Sequence, residues 1–200
     1  MTVKLHIGAG TSVLAGWINL DIAPYPGVDA IVDVREGLPY TDVSYIFAEH
    51  FIEHLRLEEG LRFMRECRRV LREDGILRLS TPNLDWVWLT HYKAPGEFIG
   101  DEALIGCLEI NRAFHGWGHQ FLYNETTIAG ALRSAGFAHV ESRAYGESAT
   151  RDLQGLERHE RHQDLPDAPS VIVVEASGIR STDEAFGRMI DPYVRDAVVT

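Results

Sequence analysis

Two hundred residues suffice for one domain with a sizeable core and are few for two. Nineteen Lys and Arg against thirty Asp and Glu leave a formal net charge of −11, which argues against a nucleic-acid phosphate partner or an anionic membrane and favours a small-molecule substrate. No apolar run reaches bilayer length, and the two cysteines, Cys67 and Cys107, form neither a metal pattern nor a disulfide framework.

The chain opens on MTVKLHIGAG, without a basic region followed by a long apolar stretch, so no secretory leader is expected and a cytoplasmic location is. Residues 3–7 are predicted as a strand running into Gly8-Ala9-Gly10. Residues 17–22 (WINLDI) form a second strand ending in an acid, 29–34 (DAIVDV) a third and 43–48 (VSYIFA) a fourth. Over 57–71, Leu57, Leu61, Met64, Val70 and Leu71 share one helical face, with Arg and Glu opposite, so the basic run 62–72 reads as a solvated face. Asp74-Gly75 is expected to stop that helix, and 76–80 is a fifth strand ended by Pro82-Asn83. Residues 84–123 are irregular and aromatic, with Trp86, Trp88, Tyr92, Phe98, Phe114 and Trp117, and read as a helical cap insert. Asn124 is placed as the N-cap of a helix over 125–135 that stops at Gly136. Residues 138–143 and 171–176 are two further strands. A helical extension over 181–200 leaves 1–180 as a single domain.

Strands alternating with helices imply an α/β, Rossmann-like sheet of mainly parallel strands, whose ligands bind beyond the strands' carboxyl ends. Gly8 and Gly10 follow the first strand directly, where glycine permits a sharp turn and close approach of a ligand. Asp21 ends the second strand, where a carboxylate can accept both hydroxyls of a ribose, and Asp33 closes the third, where it could accept from an adenine amino group. A dinucleotide site would need a third glycine where Val13 stands, and a full helix to meet the pyrophosphate.

The ordered series LHIGAG (5–10), GWINLDI (16–22), IVDVREGLPY (31–40), IFAEHFIEHL (46–55), FMRECRRVLREDGILRLSTPN (63–83) and HQFLYNETTIAGALRSAGF (119–137) resembles class I S-adenosylmethionine-dependent methyltransferases. It is similar above all to the small bacterial, type-11-like group of polysaccharide and natural-product pathways. The resemblance implies a seven-stranded sheet with one antiparallel strand, helices on both faces and a shortened first helix. It implies S-adenosyl-L-methionine as cofactor, with Gly8, Ala9 and Gly10 around its methionine part, Asp21 on the ribose, and Asp33 with Val34 at the adenine. Glu49 and His50 would line the wall beside the sulfonium. Where many relatives carry an acid two residues before the first glycine, this chain has His6.

His50-Phe51-Ile52-Glu53-His54 matches H-x-x-E-H, but His50 stands at a strand end rather than on a continuous helix, so no metal is expected. In His115-Gly116-Trp117-Gly118-His119, an imidazole can take a proton from a hydroxyl, and His119 is favoured for that role with His50 nearby. His115, Trp117 and Tyr123 are candidates for substrate binding. Arg151 and Arg158, in the charged stretch after the sixth strand, could hold an anionic group. The expected activity is O-methylation of a small polar metabolite: a sugar, a natural product, or a carboxylate or phosphonate oxygen. The alternatives are a nicotinamide-dependent oxidoreductase or epimerase, and a non-catalytic methyltransferase-like module; a homodimer is compatible with any of these.

Overall fold

The computed structural model describes residues 2–92, 101–181 and 184–196, so Phe98 lies outside the described residues. Seven strands form one sheet: β1 (Lys4–Ile7), β2 (Ile18–Asp21), β3 (Ala30–Ile31), β4 (Val43–Glu49), β5 (Leu71–Pro82), β6 (His139–Arg143) and β7 (Val171–Ser177). Their spatial order is β3-β2-β1-β4-β5-β7-β6. β1 to β5 are parallel, and β7 runs antiparallel to both β5 and β6. The α-helices among the described residues are α1 (Leu57–Val70), α2 (Leu84–His91), α3 (Asp101–His115), α4 (Glu125–Ser134) and α5 (Glu184–Asp196). The expected Rossmann-like sheet with its antiparallel strand is present. None of the described helices is long and apolar enough to cross a membrane.

Side chains alternate across a strand, and here the two faces differ in chemistry. Leu5, Ile7, Ile46, Ala48, Leu77, Leu79, Ile172 and Val174 belong to one apolar core with Leu61, Met64 and Cys67 of α1 and Ile128 and Leu132 of α4. Phe186 and Ile190 of α5 pack against the same core. The opposite face carries His6, Asn19, Phe47, Glu49, Arg78 and Glu175, all buried. Its apolar cluster takes no side chain from the described α-helices. Leu14, Trp17, Leu153 and Leu156 pack against Phe47 and Ile76 there, drawn from the turn after β1 and from the segment between β6 and β7, which has only a 3₁₀ turn at Arg151–Leu153.

Two local details depart from expectation. Between β1 and β2 the chain forms turns with no helix, so the first helix is absent rather than shortened. The Asn19 amide stands in for it: Oδ1 accepts from Leu14 N–H (2.7 Å) and Nδ2 donates to the Leu14 and Trp17 carbonyls (3.1 and 3.2 Å). Helix α1 also ends at Val70, before Asp74-Gly75. Arg68 donates to the Leu71 and Arg72 carbonyls (2.8 Å each), and β5 begins at once. The pairing of β4 with β5 shifts register between Val43↔Leu71 and Tyr45↔Ile76, so residues 72–75 bulge out of a strand. The Asn124 cap is as expected: its Oδ1 accepts from Thr127 N–H at 2.9 Å, and Gly136 takes φ +101° at the other end of α4.

Candidate active site

The carboxyl ends of β1, β2 and β4 lie side by side and each delivers a candidate residue. Gly8 and Gly10 adopt φ +67° and +51°, a region that side chains with a Cβ disfavour. A Cβ at Gly8 would come within 2.5 Å of Phe51 Cδ2, whereas one at Gly10 would meet nothing within 4 Å. The first glycine therefore seats the turn against the chain after β4, and the second leaves open space above it. Gly10 N–H donates to Asp21 Oδ2 (2.8 Å) and Ala23 N–H to Asp21 Oδ1 (3.0 Å). Each carboxylate oxygen retains a lone pair, so the acid is fixed in place and can still accept. Ala9 is buried between the two glycines.

Asp33 caps the 3₁₀ turn Val34–Glu36 and pairs with Arg35 (2.7 Å). The hydrogen bond from that guanidinium holds its carboxyl below the usual range. Val34 is a core residue. The carboxylate expected to meet an adenine amino group is thus engaged by its own neighbour.

Beneath the turn, His6 stacks on Phe47 with ring centroids 5.4 Å apart, and its Nδ1 lies 3.1 Å from Asn19 Oδ1. Burial lowers its pKa, outweighing the Asn19 hydrogen bond and the negative charge of Glu49. The neutral ring that results cannot provide the charge of the acid it replaces. Glu49 is likewise engaged: its carboxylate accepts from Arg158 N–H (2.9 Å) and His159 N–H (3.1 Å), and pairs with the His159 ring (3.0 Å). It anchors the segment between β6 and β7 over the end of β4, a contact no sequence pattern indicated. Arg158 is close enough to act electrostatically on His6. Arg151 opens the 3₁₀ turn on the second face, away from this crevice.

His50 follows β4 with φ +46°, and its Nδ1 bonds Glu53 Oε1 at 3.1 Å. Burial disfavours its charge, but the bond to Glu53 and the charges of Glu53 and Glu49 prevail and raise its pKa. Its Nε2 is buried without a hydrogen-bond partner among the described residues. His50 lines a cavity of about 530 Å³ together with Trp86, Trp117, His119, His159 and His162. The cavity lies between α2, α3 and the ends of β4 and β5. His119 Nδ1 lies 2.7 Å from the Ala113 carbonyl, so that nitrogen carries the proton and Nε2 keeps its lone pair.

The structure thus brings His50, Trp117 and His119 together and excludes two other candidates. His115 is exposed and does not line the cavity. Tyr123 is a fully buried core residue, its hydroxyl pointing at Gly60 of α1, where a Cβ would come within 2.6 Å. Trp117, 65% exposed, stands at the mouth in a left-handed conformation (φ +55°) beneath the Arg112 guanidinium. Glu53 and His54 belong to a 3₁₀ turn, Ile52–His54, that precedes α1, so H-x-x-E-H does not lie on one continuous helix.

No protein-family model matches the chain. A stretch of 61 residues, 30% of the chain, is 44% identical to a probable S-adenosylmethionine-dependent methyltransferase of Mycobacterium tuberculosis. The match spans 22% of that relative's length. Among solved structures the chain is similar to a SAM dependent methyltransferase from Archaeoglobus fulgidus, with TM-score 0.55 and 15% identity over 88% of this chain and 85% of that one. It is also similar to the DhpI–SAH complex (TM-score 0.53, 11% identity, 90% and 78% covered) and to the citrinin polyketide synthase CMeT domain (TM-score 0.54, 17% identity, 91% and 47% covered). The likeness to these structures is one of fold: the sheet is that of S-adenosylmethionine-dependent methyltransferases.

Proposed function

We propose that the protein is an S-adenosylmethionine-dependent methyltransferase acting on an oxygen of a small polar metabolite. The observation that carries this reading is the Gly8–Gly10 turn, fixed to Asp21 by the 2.8 Å bond and abutting, through Phe51, the chain that lines the histidine-rich cavity. The absence of a Cβ on Gly10 and the two free lone pairs of Asp21 suit a nucleoside and its amino-acid tail. The lack of any helix after β1 removes the N-terminus that a dinucleotide's pyrophosphate would need. The match to a methyltransferase of Mycobacterium tuberculosis supports the same cofactor.

When bound, the cofactor supplies an electrophilic methyl group on a sulfonium. The chain's own residues orient an acceptor in the cavity and exclude water from it. His119 Nε2, with its lone pair available, takes the proton of an acceptor hydroxyl. His50, held toward its charged form, is the poorer base and orients Glu53 instead. Residues 1–180 act as one domain in this reading, with 84–123 as the cap over the acceptor.

The test is calorimetric titration with S-adenosylhomocysteine. Asp21→Ala loses one or two hydrogen bonds to a charged group, at about 1.5–3 kcal/mol each, so affinity is expected to fall at least tenfold. Unchanged affinity in the variant, or no binding by the parent, would remove the assignment.

A further inference from the structure

Glu53, His54 and His119 come from segments far apart in sequence, joined by backbone hydrogen bonds. Gln120 and Phe121 N–H both donate to the Glu53 carbonyl, at 2.7 and 3.2 Å. The bond pair places the His119 segment alongside the turn that carries Glu53 and His54. One ligand atom of each of the three side chains lies within 4.8 Å of the others, and the two imidazole centroids are 5.2 Å apart.

Each donor is prepared by its surroundings. His119 gives its Nδ1 proton to the Ala113 carbonyl, leaving Nε2 as a σ-donor. A metal-bound histidine is typically held by such a bond to a backbone carbonyl, which fixes tautomer and ring orientation. The Glu53 side chain is 0% exposed. Its hydrogen-bond partners among the described residues are His50 Nδ1 (3.1 Å) and Thr81 Oγ1 (3.0 Å), neither a lysine nor an arginine. His54 is exposed at the cavity edge, so its ring can turn. A tetrahedral zinc ion with bonds of about 2.0–2.1 Å needs donor separations of roughly 3.3 Å, so binding requires the three donors to draw together from within 4.8 Å of one another.

We propose that Glu53, His54 and His119 bind one divalent cation of the zinc type. Two imidazoles and a carboxylate are a borderline-soft donor set, and three protein ligands leave a fourth position for water or an acceptor oxygen in the cavity. The H-x-x-E-H spacing suggests His50 and His54 as the ligand pair. The structure instead pairs His54 with His119 and uses His50 to hold Glu53. With a cation bound, the His119 lone pair would be a ligand rather than a base, and the cation would lower the pKa of an acceptor hydroxyl so that its proton passes to solvent water. The site rests on the cavity alone and not on the methyl-transfer reading.

The experiment titrates the chelator-treated full chain with zinc chloride by calorimetry and with cobalt(II) by visible absorbance. Saturable binding of one ion, with the d–d bands of four-coordinate cobalt, is expected. His54→Ala, His119→Ala and Glu53→Gln should each weaken zinc binding at least about 100-fold. His162→Ala, which removes another imidazole of the same cavity, should leave it unchanged. His54 is exposed, so its replacement keeps the fold, and His54→Asp should restore part of the affinity. No saturable binding by the parent, retention in His54→Ala and His119→Ala, or equal loss in His162→Ala overturns the site. Zinc binding without S-adenosylhomocysteine binding would sink the methyltransferase reading alone; the reverse would sink the metal site alone.

Discussion

His6 occupies a position where the resemblance implies an acid, and its chemistry follows from what it touches. One ring nitrogen meets Asn19 Oδ1, the ring face lies on Phe47, and burial keeps the imidazole neutral. Its folded pKa lies below the ordinary 6.5, so under acidic conditions the unfolded chain binds a proton that the folded chain refuses. Stability should therefore fall as pH drops from 6.5 toward the folded pKa, by at most about 1.4 kcal/mol per pH unit from this one group. His6→Gln should flatten that part of the curve in urea titrations repeated across the range. A slope identical in parent and variant would show that the ring titrates normally. The placement of Gly8, Gly10 and Asp21 was legible at this scale because it follows from a local rule, the turn or the strand end. Asn19 was not, since its use depends on Leu14, Trp17 and Asp29 meeting it in space.

The segment between β6 and β7 shows what a sequence pattern leaves unseen in an element. Its alternating charges at 157–162 read as a solvated helix or an oligomer contact, yet Glu157 is buried and bonds Arg78 Nε at 2.6 Å. Arg78 also reaches Glu175 (2.7 Å) and the Glu147 carbonyl (2.9 Å), and Arg143 shares Glu175 (2.9 Å). An ion pair has no periodicity, so nothing local marks residue 157 as interior. Removing one partner of a buried pair strands the other: Glu157→Gln should cost about 3 kcal/mol in chemical denaturation. Arg78→Met combined with Glu157→Leu should recover only part of that loss, because the apolar pair carries no desolvation penalty but Glu175 is left with Arg143 as its partner. If the single variant is as stable as the parent, the pair does not hold the segment. The misplaced end of α1 has a similar origin. Asp74-Gly75 is a sound stop signal, but the chain leaves the helix at Val70, four residues earlier, where Arg68 holds the Leu71 and Arg72 carbonyls and the strand bulge absorbs the remainder.

At the scale of the molecule, the sheet was legible because strand patterns and helix caps repeat the same answer along the chain, whereas the covering of its second face was not. The apolar part of that face, Leu14, Trp17, Phe47 and Leu153, is small, takes no side chain from the described α-helices and draws on distant segments. The histidine-lined cavity joins the stretch with the least regular pattern to the segment between β6 and β7, so His50 and His119 could be named from the sequence but His159 and His162 could not. With polar bonds tying the second face to strands that also build the main core, the described parts should unfold together. Tryptophan fluorescence, to which Trp17 contributes from the second face, and far-ultraviolet circular dichroism should give coincident denaturation curves. An earlier fluorescence transition would separate the two faces.

The stitch from Arg78 to Glu157 spans 79 positions, and that to Glu175 spans 97. During synthesis at about 5–20 residues per second, the guanidinium would wait roughly 4 to 16 s for its first acidic partner to be made. For that interval the half-made sheet shows the solvent an imidazole, an amide, a carboxylate and a guanidinium around Phe47 and Ile76. Water can hydrate all four, so the nascent intermediate is shielded from sticking to its neighbours until the late-arriving acids close it.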